Sequence, residues 1–247
     1  MRNTKKFDTK TIVGVAVFSA LAFVVALVCN IIPPVAGFLS LDVKDAIISI
    51  AAFIYGPISA VLISFIAAFI EFITFSTTGW YGFVMNFASS AVFSLTASLI
   101  YKKIRNINGA LISFFAAVIA TTTVMLLLNI FVTPFYLVYI GVPSKEIADT
   151  QVRELLPKIL LPFNFAKALM NSAVAMLLYK PLSRALKKAK YALVARRPMD
   201  KSVDDGVSTV PQSTAADPVA FNKNTAIILS VGFAALAVAV VILLVIS

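Results

Sequence analysis

Uncharged stretches long enough to cross a bilayer constrain this chain more than any other feature. Residues 11–32 carry no charge, and further apolar runs occupy residues 46–55, 58–74, 83–101, 109–140, 159–179 and 225–246. About 20 apolar residues span hydrocarbon as a helix. Lipid offers backbone groups no water, so a run of this kind must satisfy its own N–H and C=O groups by coiling. The expected fold is therefore all-α, a polytopic membrane protein with a six-helix transmembrane bundle and one extra C-terminal transmembrane helix. Residues 46–55 alone are short for a span, so the second helix is expected to begin near Asp42 and to stop at Gly56-Pro57, a pair that breaks helices. The run at 109–140 is too long for one simple span and contains Asn129 and Pro134, which predicts a tilt, a kink or an unwound outer end.

The charges lie between these runs. Lysine and arginine exceed aspartate and glutamate by ten, but they sit in short clusters beside apolar segments. That is how membrane orientation is encoded, and it argues against nucleic acid as a partner. Alternate sides of the six spans carry sixteen basic residues and four, with Lys167 inside the membrane. The positive-inside rule then places the N-terminus in the cytoplasm and the loops at 35–45, 76–82 and 141–158 outside. The first run is long for a signal peptide, lacks a small-residue cleavage site and has bulky Val28 before Cys29, so it reads as a first span. Cys29 is the only cysteine and histidine is absent, which excludes an intramolecular disulfide, histidine-based catalysis and histidine-containing metal sites. Three regions follow: a membrane domain at 1–190, a disordered cytoplasmic linker at 191–224, and an additional transmembrane helix at 225–247.

The sixth span holds the polar residues that need explaining. Asn164, Lys167 and Asn171 are spaced i, i+3 and i+7 and so share one helical face. A lysine in hydrocarbon costs about 2.5–3.5 kcal/mol on insertion scales and persists where it lines a cavity, meets a partner or carries function. Glu71, near the outer end of the third span, is a second intramembrane charge. Asn86 begins the fourth span, and Thr122, Met125, Asn129 and Tyr136 share a face of the fifth. With the orientation above, Glu71, Asn86, Asn129, Asn164 and Lys167 all fall in the outer half of the bilayer. Any one asparagine can serve as an interhelical hydrogen bond. Together with Phe38, Trp80, Tyr81 and Phe83 for stacking, the set suits a planar polar solute better than an ion. No phosphate-binding G-x-x-x-x-G-K-[ST] loop and no hydrolase signature occurs, so the chain is not expected to be an enzyme or an ATPase, and transport energy must come from an ion gradient or from other subunits. Ala16 and Ala20, with Ala22 and Ala26 on a neighbouring stripe, give small-residue spacings for close helix approach, within the chain or to a partner.

Several pieces in order resemble the substrate-binding S components of energy-coupling factor (ECF) vitamin transporters, and among them the riboflavin-specific type. They are the first helix around Ala16 and Ala20, Phe38-Leu39-Ser40-Leu41-Asp42-Val43-Lys44-Asp45, Gly56-Pro57, Gly79 through Asn86-Phe87, and Asn164-Phe165-Ala166-Lys167. The resemblance covers residues 10–190. It implies a six-helix bundle in the cell membrane that captures riboflavin, as transported ligand and not cofactor, from outside, with the first loop as a lid. Docking would be through the first helices onto a transmembrane T subunit driven by two ATPase subunits. Carried over, the riboflavin contacts fall on Asn86, Asn129, Asn164 and Lys167 and extend to Asp42 and Glu71, with Ala16 and Ala20 at the partner interface. The seventh helix departs from the six-helix pattern. Two readings from other classes stand beside this one: a self-contained proton-coupled transporter in which Lys167 and Glu71 exchange protons, and a structural membrane adaptor without a ligand.

Overall fold

A computed structural model describes residues 9–195, and every regular element among them is helical. The order is α1 (Thr9–Cys29), α2 (Lys44–Tyr55), α3 (Pro57–Thr74), α4 (Gly79–Lys103), α5 (Ile107–Tyr139), α6 (Lys145–Leu155) and α7 (Leu161–Ala195), with a π-helical turn, Leu156–Leu160, between the last two. Helices α1, α3, α4 and α5, and the continuous stretch from Lys145 to Tyr179, are long and apolar enough to cross a membrane. Helix α2 has 12 residues, about 18 Å at 1.5 Å per residue, and completes the bundle as its short inner member. The region read as a linker begins inside α7, which runs on to Ala195; the rest of it and the seventh span lie outside the described residues.

The breaks follow the local chemistry. Gly56 has φ +100°, a conformation that favours glycine, and Pro57 opens α3, where its missing N–H costs no hydrogen bond. Asn106 caps α5 by accepting from the Gly109 N–H at 2.7 Å. Helix α5 does not unwind at Pro134 as one expectation had it. It continues for 33 residues, about 50 Å, so its last turns exceed what a ~30 Å hydrocarbon core requires.

Those turns are covered by an element where the sequence predicts a polar loop. Residues 145–155 form α6, capped by Ser144, whose hydroxyl accepts from the Ile147 N–H at 3.4 Å. Ala148 and Val152, one turn apart, are buried against Leu137 and Leu160. The charges around them had masked an amphipathic stripe too short to register beside spanning helices.

Two cores share α2. One joins α1, α2 and α3 through Val15, Ala22, Ile48, Ala51, Ile63 and Ala67; the other packs Phe93, Phe114, Leu169 and Met176 with a set of alanines between α2, α4, α5 and α7. Alanine is the commonest residue in both, and small side chains are what allow helices to approach closely in lipid, where there is no hydrophobic drive between them.

Candidate functional site

The loop between α1 and α2 is the start of the site. Val35 and Leu39 pair antiparallel through two backbone hydrogen bonds of 2.9 and 3.0 Å around a turn at Ala36 and Gly37, both with positive φ. This tight hairpin turns Phe38 and Leu39 toward the bundle, where they pack with Tyr136 and the α6 cluster.

Helix α7 fastens the loop from below. Lys167 Nζ donates to Asp42 Oδ2 at 2.7 Å and to the Ser40 carbonyl at 3.3 Å. One turn deeper, Asn171 donates to the Asp42 carbonyl and accepts from the Ala46 N–H, both at 2.9 Å. Its amide thus satisfies an otherwise unpaired donor at the start of α2. The polar face predicted on the sixth span exists, and two of its three members hold the loop.

The charges continue from there in a chain. Asp42 also faces Lys44 Nζ at 3.9 Å, and that ammonium donates to both Glu71 oxygens at 2.6 Å. Asn86 of α4 donates to Glu71 at 3.3 Å, and the Ser90 hydroxyl donates to Asp45. Burial alone would push the Asp42 carboxyl up, but Lys167 and Lys44 facing it outweigh that and hold it below the usual carboxylate value. Lys44 is 1% exposed, so Glu71 has its full charge partner inside the protein. Removing one member of such a pair typically costs about 3–5 kcal/mol, because the other is left buried and alone.

Beside this chain lies a narrow cavity of about 80 Å³, open at its mouth. Asn86, Asn129, Asn164 and Lys167 all line it, with Phe38, Tyr81, Tyr136 and Phe163 as its rings. Asn129 and Asn164 each donate to a carbonyl one turn back on their own helix, at 2.7 Å to Met125 and Leu160, and Asn129 also accepts from Thr133 at 2.9 Å. These bonds fix the amide orientations. The π turn before Asn164 contains Pro157 and precedes Pro162; both lack an N–H, and the turn closes by an i to i−5 bond from Leu161 to Leu156. Such insertions are frequent at functional sites.

Several expectations are corrected. Asp42 and Glu71 line an adjoining cavity, which shares Phe38, Ser40, Thr78 and Asn86 with the first. Lys167 is held by Asp42, and Glu71 belongs to Lys44. Trp80 is 64% exposed and packs on Phe72, while Phe83 joins Phe65, Phe69 and Phe72 away from the cavity. Thr122 is buried outside it. The role of Lys44 was missed. A count of charges held the signal: Asp42 and Glu71 bring two negative charges against the single cation of Lys167, which leaves place for a second.

A bundle of spanning helices that encloses a polar, ring-lined cavity at one end, under a fastened loop, defines a solute-binding membrane protein. The family described as "ECF transporter, substrate-specific component" matches residues 10–179, and the chain belongs to that family of transporter components. It is similar to the riboflavin transporter RibU of Staphylococcus aureus (strain TCH60), at 30% identity over 182 residues, 73% of this chain and 94% of that protein. It is also similar to the riboflavin transporter FmnP of Bacillus subtilis (strain 168), at 26% identity over 186 residues, 74% of this chain and 97% of that one. A solved S component of a bacterial ECF transporter superposes with a TM-score of 0.59 at 29% identity, covering 72% of this chain and 98% of that one.

Proposed function

We propose that this chain is the riboflavin-binding membrane subunit of an ECF transporter, capturing the vitamin from outside the cell. The observation that carries the reading is the convergence of Asn86, Asn129, Asn164 and Lys167 on one cavity with Phe38, Tyr81 and Tyr136. Riboflavin offers a planar ring system with an imide edge of alternating acceptors and donor, and a hydroxylated tail. Amide side chains match both kinds of group, and tilted rings flank a planar one. Lys167 has three donors, two of which go to Asp42 and Ser40, so its third is available to a ligand carbonyl. The names of the two relatives point to the same vitamin.

Asp42 and Glu71 act through the lysines they hold rather than by contact with the ring. On this reading the N-terminus lies in the cytoplasm and the cavity opens outward across the cell membrane. Energy comes from partner chains, a transmembrane T subunit with two ATPase subunits. Helix α1 supports a docking face: Ala16 and Ala20 are exposed, while Ala22 and Ala26 are buried within the bundle. Replacing Ala16 and Ala20 together with leucine should abolish vitamin uptake by cells and leave binding by the purified protein unchanged; loss of binding would return the stripe to internal packing. A self-contained proton carrier has less behind it, since Lys167 and Glu71 sit in separate ion pairs. The absorption spectrum of the purified protein tests the substrate. Flavin bands near stoichiometric amounts, or saturable quenching of added riboflavin fluorescence, are expected, and neither would appear if the ligand belongs to another class.

A further inference from the structure

We propose that the opposite end of the bundle holds a phosphoryl-binding site, built on the N-terminus of α3 and occupied by the headgroup of an anionic phospholipid. A groove there runs between the start of α1, the α2–α3 break and the end of α4, with Lys102 and Arg105 on its rim and, among the described residues, no carboxylate in its lining. The first turn of the 18-residue α3 has no side-chain cap. Pro57 has no N–H and the Ser59 N–H donates to the Gly56 carbonyl at 3.1 Å, so the Ile58 N–H and the positive end of the dipole remain available to an anion. Ser59, in that first turn, lines the same groove, is 1% exposed, and its hydroxyl has no hydrogen-bond partner among the described residues. A buried hydroxyl without a partner costs free energy, and a phosphate oxygen beside it would accept the bond. Donor, dipole and two cations thus converge on one groove.

The source of the phosphoryl group follows from what lies next to it. Ile58, Leu62, Phe65 and Phe69 are exposed at i, i+4, i+7 and i+11 along α3, an apolar stripe that begins at the groove and runs away from it. Acyl chains along that stripe would place a lipid headgroup at Ser59, whereas a free ion would make no use of it.

The test is native mass spectrometry of the full chain in detergent with added phosphatidylglycerol or phosphatidylcholine, with inorganic phosphate as a separate arm. Retained phosphatidylglycerol, preferred over phosphatidylcholine, is expected. The preference should vanish in Lys102→Gln/Arg105→Gln and fall by roughly two- to tenfold in Ser59→Ala, the worth of one hydrogen bond. Lys103→Gln, a basic neighbour outside the groove, should leave it unchanged, as should all three changes for riboflavin binding, which reports folding and the other end independently. Displacement of the lipid by millimolar inorganic phosphate would overturn the lipid assignment in favour of a free anion. Equal loss in Lys103→Gln, or no preference in the unaltered protein, would reduce the groove to general surface charge and overturn the site.

Discussion

The two ends of the bundle treat charge in opposite ways. At the cavity end, Asp42, Lys44, Asp45, Glu71 and Lys167 are each less than a tenth exposed, and four of them run in consecutive ion pairs from α7 through the loop and α2 to α3. At the other end Lys102, Lys103 and Arg105 are exposed, and among the described residues none of them meets a carboxylate. A charge removed from water must find its counter-charge within the protein, and in doing so it joins segments that are remote in sequence. A charge left in water needs no such partner and is free to set orientation and to meet anions. The same residue type therefore builds a site at one end and marks a surface at the other.

The contrast is broken most severely at Lys44. Lys44→Met leaves Glu71 buried without its cation, and an unfolding titration of the purified protein in detergent should show a loss of about 3–5 kcal/mol. Lys102→Met, in the same assay, should leave the midpoint where it was. Similar shifts for both would mean that pairing is not what holds the cavity end together. Lys44→Met/Glu71→Leu, which removes both charges, should recover much of the stability.

Lys167 sharpens the comparison through binding. Losing a hydrogen bond from a charged group costs about 1.5–3 kcal/mol, so Lys167→Met should weaken riboflavin binding on the order of 10–150-fold on monodisperse protein, read by fluorescence quenching. Asn164→Ala should weaken it by roughly two- to tenfold, the worth of a neutral hydrogen bond. Unchanged affinity in both variants would place the vitamin elsewhere. Asn171→Ala should act differently, because its amide holds the loop and lies beneath the cavity. Faster release with a nearly unchanged association rate is expected, and a slower association rate would count against the fastening role. The smallest effect is expected from removing residues 198–247. Among the described residues the cavity is lined by ones before 168, so the affinity of the folded truncated protein should stay as it was.

Much of the architecture was legible because it is local. Helix spans follow from runs of residues adjacent in sequence, Gly56-Pro57 breaks the chain by its own backbone chemistry, and Asn164, Lys167 and Asn171 share a face by spacing alone. Helix α6 was missed because its apolar stripe is short and set among charges. Asn86, Asn129, Asn164 and Lys167, which line the cavity among other residues, were identifiable as polar groups at similar depth, a property that topology assigns without packing.

What the sequence could not decide is which of these groups touch. Lys44 meets Glu71 across 27 positions and Lys167 meets Asp42 across 125, and no periodicity relates residues so far apart. Depth in the membrane selected Lys167, Glu71 and the asparagines as candidates, since the cost of burying a polar group depends on its own surroundings. The pairing depended on how α2 sits between the two cores and where α7 meets the loop. Packing alone brings those helices together, so only the tertiary structure determined that Asp42 holds Lys167, that Lys44 holds Glu71, and that Asn171 secures the loop instead of lining the cavity.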